Sequence, residues 1–188
     1  DGSVTPEELV RLAAARNLPA VAVTDHDTLS AGPELLALGQ SLGVRVVPGV
    51  EISTKDPKTG RKAHILLYGP KKTQELGALC DEICRSRQKA GEEMLEKTQR
   101  HYPIPREIVQ RHAQWAPALF KQHIMLALIS AGYADVLYGP LFRELFDSKT
   151  GLAYSPVSYP NVHEALEVAR ASGGVAVLAH PSEYGSQA

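Results

Sequence analysis

The sequence has 188 residues, 44% of them hydrophobic, enough for a buried core in one domain with room for a subdomain. Lys and Arg total 20 against 21 for Asp and Glu, a formal net charge of -1, so no general attraction to a nucleic-acid backbone or anionic membrane is built in and any phosphate affinity must be local. No apolar run approaches the roughly 20 residues that span a bilayer, and no charged-then-apolar leader opens the chain, which predicts a cytoplasmic protein.

Thr5-Pro6-Glu7-Glu8 combines an N-cap, a proline at the first helical position and a glutamate at the third, and predicts a helix over 6–16. The apolar run Ala20-Val21-Ala22-Val23 predicts a strand buried on both faces, with the polar cluster Thr24-Asp25-His26-Asp27 at its C-terminal end. A second helix over 33–42, stopped by Gly43, precedes a second buried strand over 44–47. Pro48-Gly49-Val50-Glu51 then puts a carboxylate just past that strand. A third strand over 63–68 sets His64, Leu66 and Tyr68 on one face.

From about 73 to 146 the pattern turns helical, with a long helix through Lys97, another over 121–130 and a short one near Leu141. Cys80 and Cys84 share a face of the long helix and read as reduced thiols. Asn161 caps a further helix ending near Gly173-Gly174, and a buried strand over 175–178 runs into Ala179-His180-Pro181. Apolar strands separated by helices predict a parallel sheet or an α/β barrel, whose functional residues gather at the C-terminal ends of the strands. His26, Glu51 and His180 occupy such positions.

Histidine nitrogen together with carboxylate oxygen suits Zn, Mn or Fe, whereas Ca and Mg sites are nearly all oxygen. Asp1, His26, Glu51, His64 and His180 supply the mixed type. A single histidine is ordinarily a hydrogen-bonded structural residue, but folding alone does not require several ligand-type residues to stand at successive strand ends. Asp25 and Asp27 flank His26 and can steady its ring, although capping of the next turn accounts equally well for Asp27. His101, His112 and His163 read as structural. Tyr68, Tyr133, Tyr138 and Trp115 could line a nucleobase pocket, but core packing is the preferred reading for each.

Asp1-Gly2-Ser3 with Thr5-Pro6-Glu7-Glu8-Leu9, Thr24-Asp25-His26-Asp27-Thr28, Pro48-Gly49-Val50-Glu51, His64-Ile65-Leu66-Leu67-Tyr68-Gly69 and Ala179-His180-Pro181 together resemble the PHP (polymerase and histidinol phosphatase) superfamily, in family order from end to end. The likeness is to the small stand-alone bacterial phosphoesterases. It implies a distorted seven-stranded β/α (TIM-like) barrel formed by residues 1–72 and 151–188, with an inserted helical subdomain at 73–150 and truncation at both ends. It also implies two or three divalent metal ions (Mn, Fe or Zn). Asp1 and His26 match residues that share one metal, Glu51 matches a residue bridging two, and His64 and His180 match ligands of another. A His-x-His pair and an Asp-x-His motif of the family pattern fall beyond the two ends of the sequence. Phe120-Lys121-Gln122-His123-Ile124 resembles a motif usually written Arg-Pro-His-Ile that faces the substrate phosphate. His123 matches it; Lys121 keeps a positive charge but lacks the bidentate fork of arginine. A solvated helix charge at Lys121 and a structural His123 are the plain alternatives.

The activity implied is metal-dependent hydrolysis of a phosphate ester. Divalent metals make hydroxide available for in-line attack, Glu51 bridges them, and His123 and Lys121 bind the phosphate. The expected substrate is a nucleotide or a short oligonucleotide, as for a nucleoside 3′,5′-bisphosphate phosphatase or a 5′-3′ exonuclease. A small-metabolite phosphatase, such as one for histidinol phosphate, and a non-catalytic interaction module are the alternatives. Neither a duplex nucleic acid nor a membrane is an expected partner.

Overall fold

The capping signal at Thr5 does what its residues dictate. In a computed structural model describing residues 4–184, α1 spans Pro6–Ala15. Thr5 Oγ1 accepts from the Glu8 amide at 3.2 Å and Glu8 Oε2 accepts from the Thr5 amide at 2.8 Å, so two orphan donors of the first turn are satisfied reciprocally. Strand β1 follows at Ala20–Val23, α2 at Pro33–Ser41, β2 at Arg45–Lys55 and β3 at Lys62–Tyr68. The long α3 covers Gln74–Gln99, and α4 (Arg106–Ala113), α5 (Lys121–Ser130) and α6 (Pro140–Phe146) complete the helical stretch. Helix α7 (Val162–Ala171) leads to β4 (Val175–Leu178) and a 3-10 turn at Pro181–Tyr184. Among the described residues, no helix is long and apolar enough to cross a membrane.

The α/β class holds, but the seven-stranded barrel does not. Among the described residues there is one four-stranded mixed sheet in the order β1-β2-β3-β4, accompanied by seven α-helices. Strands β1 and β2 pair in parallel, with Ala20 opposite Arg45 and Val23 opposite Pro48. Strands β2 and β3 are antiparallel, as are β3 and β4. For β2 and β3 the reason lies in the connection between them. Asp56 Oδ1 accepts from the Lys58 amide at 2.9 Å, its Oδ2 accepts from Thr59 Oγ1 at 2.6 Å, and Gly60 takes φ +69°. A turn this short makes a hairpin; a parallel crossover needs a dozen residues or more.

Two further expectations are corrected by burial and length. The second strand does not stop at Val47: β2 runs through Pro48 to Lys55, because Val50 to Thr54 pair with β3, so Glu51 lies within the strand rather than past it. The end strands are not buried on both faces. Every residue of β4 is exposed and only Val23 of β1 is buried, since these strands flank the sheet and each pairs with one described neighbour.

The described residues divide into two compact units, 84–158 and the remainder. In the sheet-bearing unit, one core joins Val50, Ile52, Ile65 and Leu67 of the hairpin to Leu76, Ile83, Ala165 and Ala169. A second core gathers Val10, Ala13, Val23, Leu35, Val44 and Val46. The helical unit has its own core, built around Met94, Leu95, Ile124, Met125, Leu128, Leu145 and Phe146. Trp115 and Tyr138 do not belong to it. Both are strongly exposed, Trp115 because it follows the C-cap of α4 and Tyr138 because it precedes α6.

Candidate metal centre

Strand period and register bring the ligand-type residues together. Glu51 stands opposite Leu66 and Ser53 opposite His64 in the β2–β3 ladder. Residues two apart on a strand share a face, so Glu51 and His64 are diagonal neighbours on the same side, within reach of long side chains. The parallel edge contributes His26. Past the end of β1 the chain keeps alongside β2, with His26 bridged to Glu51, the Glu51 amide donating to Asp25 O at 3.1 Å and the Asp27 amide donating to Glu51 O at 3.0 Å. On the other side, β4 pairs Leu178 with Ile65, and the Ala179 amide donates to His64 O at 3.0 Å, which delivers His180 to the same place.

The side chains converge on one carboxylate oxygen. Glu51 Oε1 lies 3.2 Å from His64 Nδ1 and 3.2 Å from His180 Nε2, and the two imidazole nitrogens are 3.0 Å apart. The His64 ring meets the His26 and His180 rings edge-on, with centroids 5.0 Å away in each case. One ligand atom from each of His26, Glu51 and His64 can be chosen so that all lie within 4.8 Å of one another. His180 holds its position with φ +30°, a left-handed value that a non-glycine residue adopts at an energetic cost and that characteristically persists at functional sites.

The electrostatics match this geometry. The hydrogen bond to His64 holds the Glu51 carboxyl below its usual range, against the burial that would raise it, and the charges of His26 and His64 and the bond to His180 act in the same direction. The carboxylate is therefore anionic at neutral pH. An anionic oxygen facing imidazole nitrogens offers several electron pairs to one point, the donor chemistry that suits a divalent cation of the first transition row.

Of the residues singled out in the sequence, His26, Glu51, His64 and His180 come together here, while Asp1 lies outside the described residues. Lys121 and His123 belong to the helical unit, at the start of α5. His123 is buried, and its Nδ1 accepts from the Phe120 amide at 3.2 Å, so the ring proton resides on Nε2. Burial lowers its pKa to about 4, so it is neutral at pH 7. The Lys121 ammonium stands 4.9 Å from the centre of the Phe142 ring. The Asp27 carboxylate reaches the middle of β2. It binds Ser53, a residue the sequence reading passed over, although the alternation Val50-Glu51-Ile52-Ser53-Thr54 would have extended β2 to include it.

Comparison with known proteins gives this cluster its context. The PHP domain family matches residues 1–167. The chain belongs to this family. A phosphoribosyl 1,2-cyclic phosphate 1,2-diphosphodiesterase of Eggerthella lenta is 35% identical over 99% of this PHP chain and 71% of its own length. The 5′-3′ exoribonuclease Rnm of Escherichia coli is 33% identical over 98% of the chain and 62% of its own. Among solved structures, a Bifidobacterium adolescentis protein provisionally assigned as a metal-dependent phosphoesterase superposes with a TM-score of 0.86 at 26% identity, over 97% of this chain and 64% of that one. The chain thus spans between 62% and 71% of the length of these proteins. His26, Glu51 and His64 all fall within the matched PHP region; His180 lies beyond it.

Proposed function

We propose that this PHP chain is a metal-dependent phosphoesterase acting on a nucleotide or a short oligonucleotide. The observation that carries the reading is the convergence of His26, Glu51 and His64, with His180 on the same Glu51 oxygen, in a chain whose relatives are named for cleaving phosphate esters. The class is phosphoric ester hydrolase. Two or three Mn, Fe or Zn ions suit the mixed nitrogen and oxygen donors, with Asp1 completing the set the family motif implies.

Divalent ions held in such a site lower the pKa of water to supply a nucleophile and neutralise charge on the phosphoryl oxygens. The protein's own part is to fix the donors. Glu51, anionic and centred among the imidazoles, would hold the ions jointly, in the role its motif implies, with His26, His64 and His180 as the nitrogen donors. His123 and Lys121 take the role that their motif implies, donation to a substrate phosphate: His123 through its Nε2 proton, and Lys121 through its charge. A neutral His123 supplies a hydrogen bond and leaves the charge to the lysine.

Phosphate release from adenosine 3′,5′-bisphosphate, mononucleotide release from a 5′-phosphorylated oligoribonucleotide, and phosphate release from histidinol phosphate, each measured with the intact protein and Mn²⁺, test this reading. The first two should be cleaved in preference to the third, and His26→Ala or Glu51→Ala should abolish cleavage of all. Preference for histidinol phosphate would move the substrate to the small-metabolite class. Full activity in either variant would overturn the assignment of the centre.

A further inference from the structure

The carboxylate of Asp27 is buried, with only 1% of the residue exposed, and burial of a charge is costly unless its oxygens are occupied. Both are. Asp27 Oδ1 accepts from the Ser53 amide at 2.7 Å and Oδ2 accepts from Ser53 Oγ at 2.9 Å, and Ser53 is itself 1% exposed. In the parallel pairing on this edge, the Glu51 amide donates to Asp25 O and the Asp27 amide donates to Glu51 O, each about one rung of a ladder. The next acceptor in such a ladder would be the backbone oxygen of residue 27. Instead, Asp27 takes φ +55°, the chain turns away from β2, and the side chain stands in for the missing carbonyl. His26 lies between the two ends of this clasp, opposite Glu51.

We propose that Asp27 is a positioning residue for the metal centre, clasping Ser53 so that His26 is held in register with Glu51. This inference rests on the metal reading of the centre. A free chain end would let the loop after β1 peel from β2, and the distance between two donors on different segments would then vary by more than a metal tolerates. The left-handed conformation of Asp27 is also explained. Asp and Asn adopt it more readily than most residues, and the two hydrogen bonds from Ser53 offset its cost.

The test combines calorimetric titration of Mn²⁺ into the chelator-stripped protein with hydrogen exchange of the Ser53 amide in the metal-free protein. Asp27→Ala should weaken Mn²⁺ binding by about tenfold or more, the usual effect of losing a residue that orients a ligand, and should accelerate exchange at Ser53. Asp27→Asn should rescue both, because an amide oxygen can accept from the Ser53 amide while its NH₂ donates to Ser53 Oγ, and asparagine accepts the left-handed backbone. Ser53→Ala, which leaves Asp27 unchanged, should give an intermediate loss and keeps the test open if Asp27→Ala fails to fold. Unchanged Mn²⁺ affinity in Asp27→Ala or, if that variant does not fold, in Ser53→Ala would overturn the proposal. So would an Asp27→Asn variant that folds yet binds as weakly as Asp27→Ala, since charge rather than the clasp would then be responsible. A wild-type protein that takes up no Mn²⁺ would refute the metal reading instead; Ser53 exchange would still show whether the clasp exists.

Discussion

At the scale of single residues, His123 shows how burial separates two roles that one motif suggests. A histidine that faces phosphate is often pictured as a cation, but this one is neutral until the pH falls to about 4, because it is buried. The sign of the linkage follows directly. The ordinary histidine value is 6.5, so as the pH falls below it the unfolded chain takes up a proton that the folded chain refuses until about 4. Stability is complete above 6.5 and is lost progressively on acidification towards 4. Urea midpoints at pH 7 and pH 4.5 should therefore drop further in the wild type than in His123→Gln, whose amide does not titrate. Equal drops in the two proteins would mean that His123 is not held neutral by the fold. The residue types of the cluster around Glu51 were legible in the sequence because donor chemistry is local. The partner of Asp27 was not, since Ser53 is 26 residues away and only the register of β2 brings it near.

Among the elements, the β2–β3 hairpin decides the most. It extends what reads as a short parallel strand into one of eleven residues, parallel to β1 at its start and antiparallel to β3 from Gly49 on, and places Glu51 and His64 as diagonal neighbours. The signal was present as Asp56-Pro57-Lys58-Thr59-Gly60, a turn sequence between two alternating runs, but Pro48-Gly49 reads as the end of the preceding strand and hides its continuation. Gly49 marks where this hairpin meets β1. A Cβ there would come within 2.7 Å of Leu67 O and 2.8 Å of Thr24 Cγ2, one of them backbone that cannot rotate aside. Gly49→Ala should destabilise the protein by about 1–3 kcal/mol, the usual cost of overpacking, read as a lowered denaturant midpoint at unchanged slope. A midpoint equal to that of the wild type would show that the strands can part to admit a methyl group.

For the whole molecule, the order of motifs along the chain was enough to identify the PHP family, because each motif carries its chemistry in adjacent residues. Sheet topology was not. Helix and strand alternation suggests parallel pairing, whereas the direction of each strand depends on the length of its connection and on partners far away in sequence. The exposed side chains of β4 have the same origin: Val175-Ala176-Val177-Leu178 reads as buried from composition, yet its burial depends on what lies beside it. The convergence of four side chains does not depend on the barrel. His26 at the parallel edge, Glu51 and His64 in the hairpin and His180 after β4 come from four separate segments, and the sheet brings them to one carboxylate. The claim that this cluster holds a divalent metal is tested most directly by metal content. The intact protein, stripped with chelator, dialysed against Mn²⁺ and measured by atomic absorption, should retain the metal, whereas Glu51→Gln and His64→Ala should lose most of it while remaining folded. Retention by both variants equal to that of the wild type, or no retention by the wild type, would contradict the account.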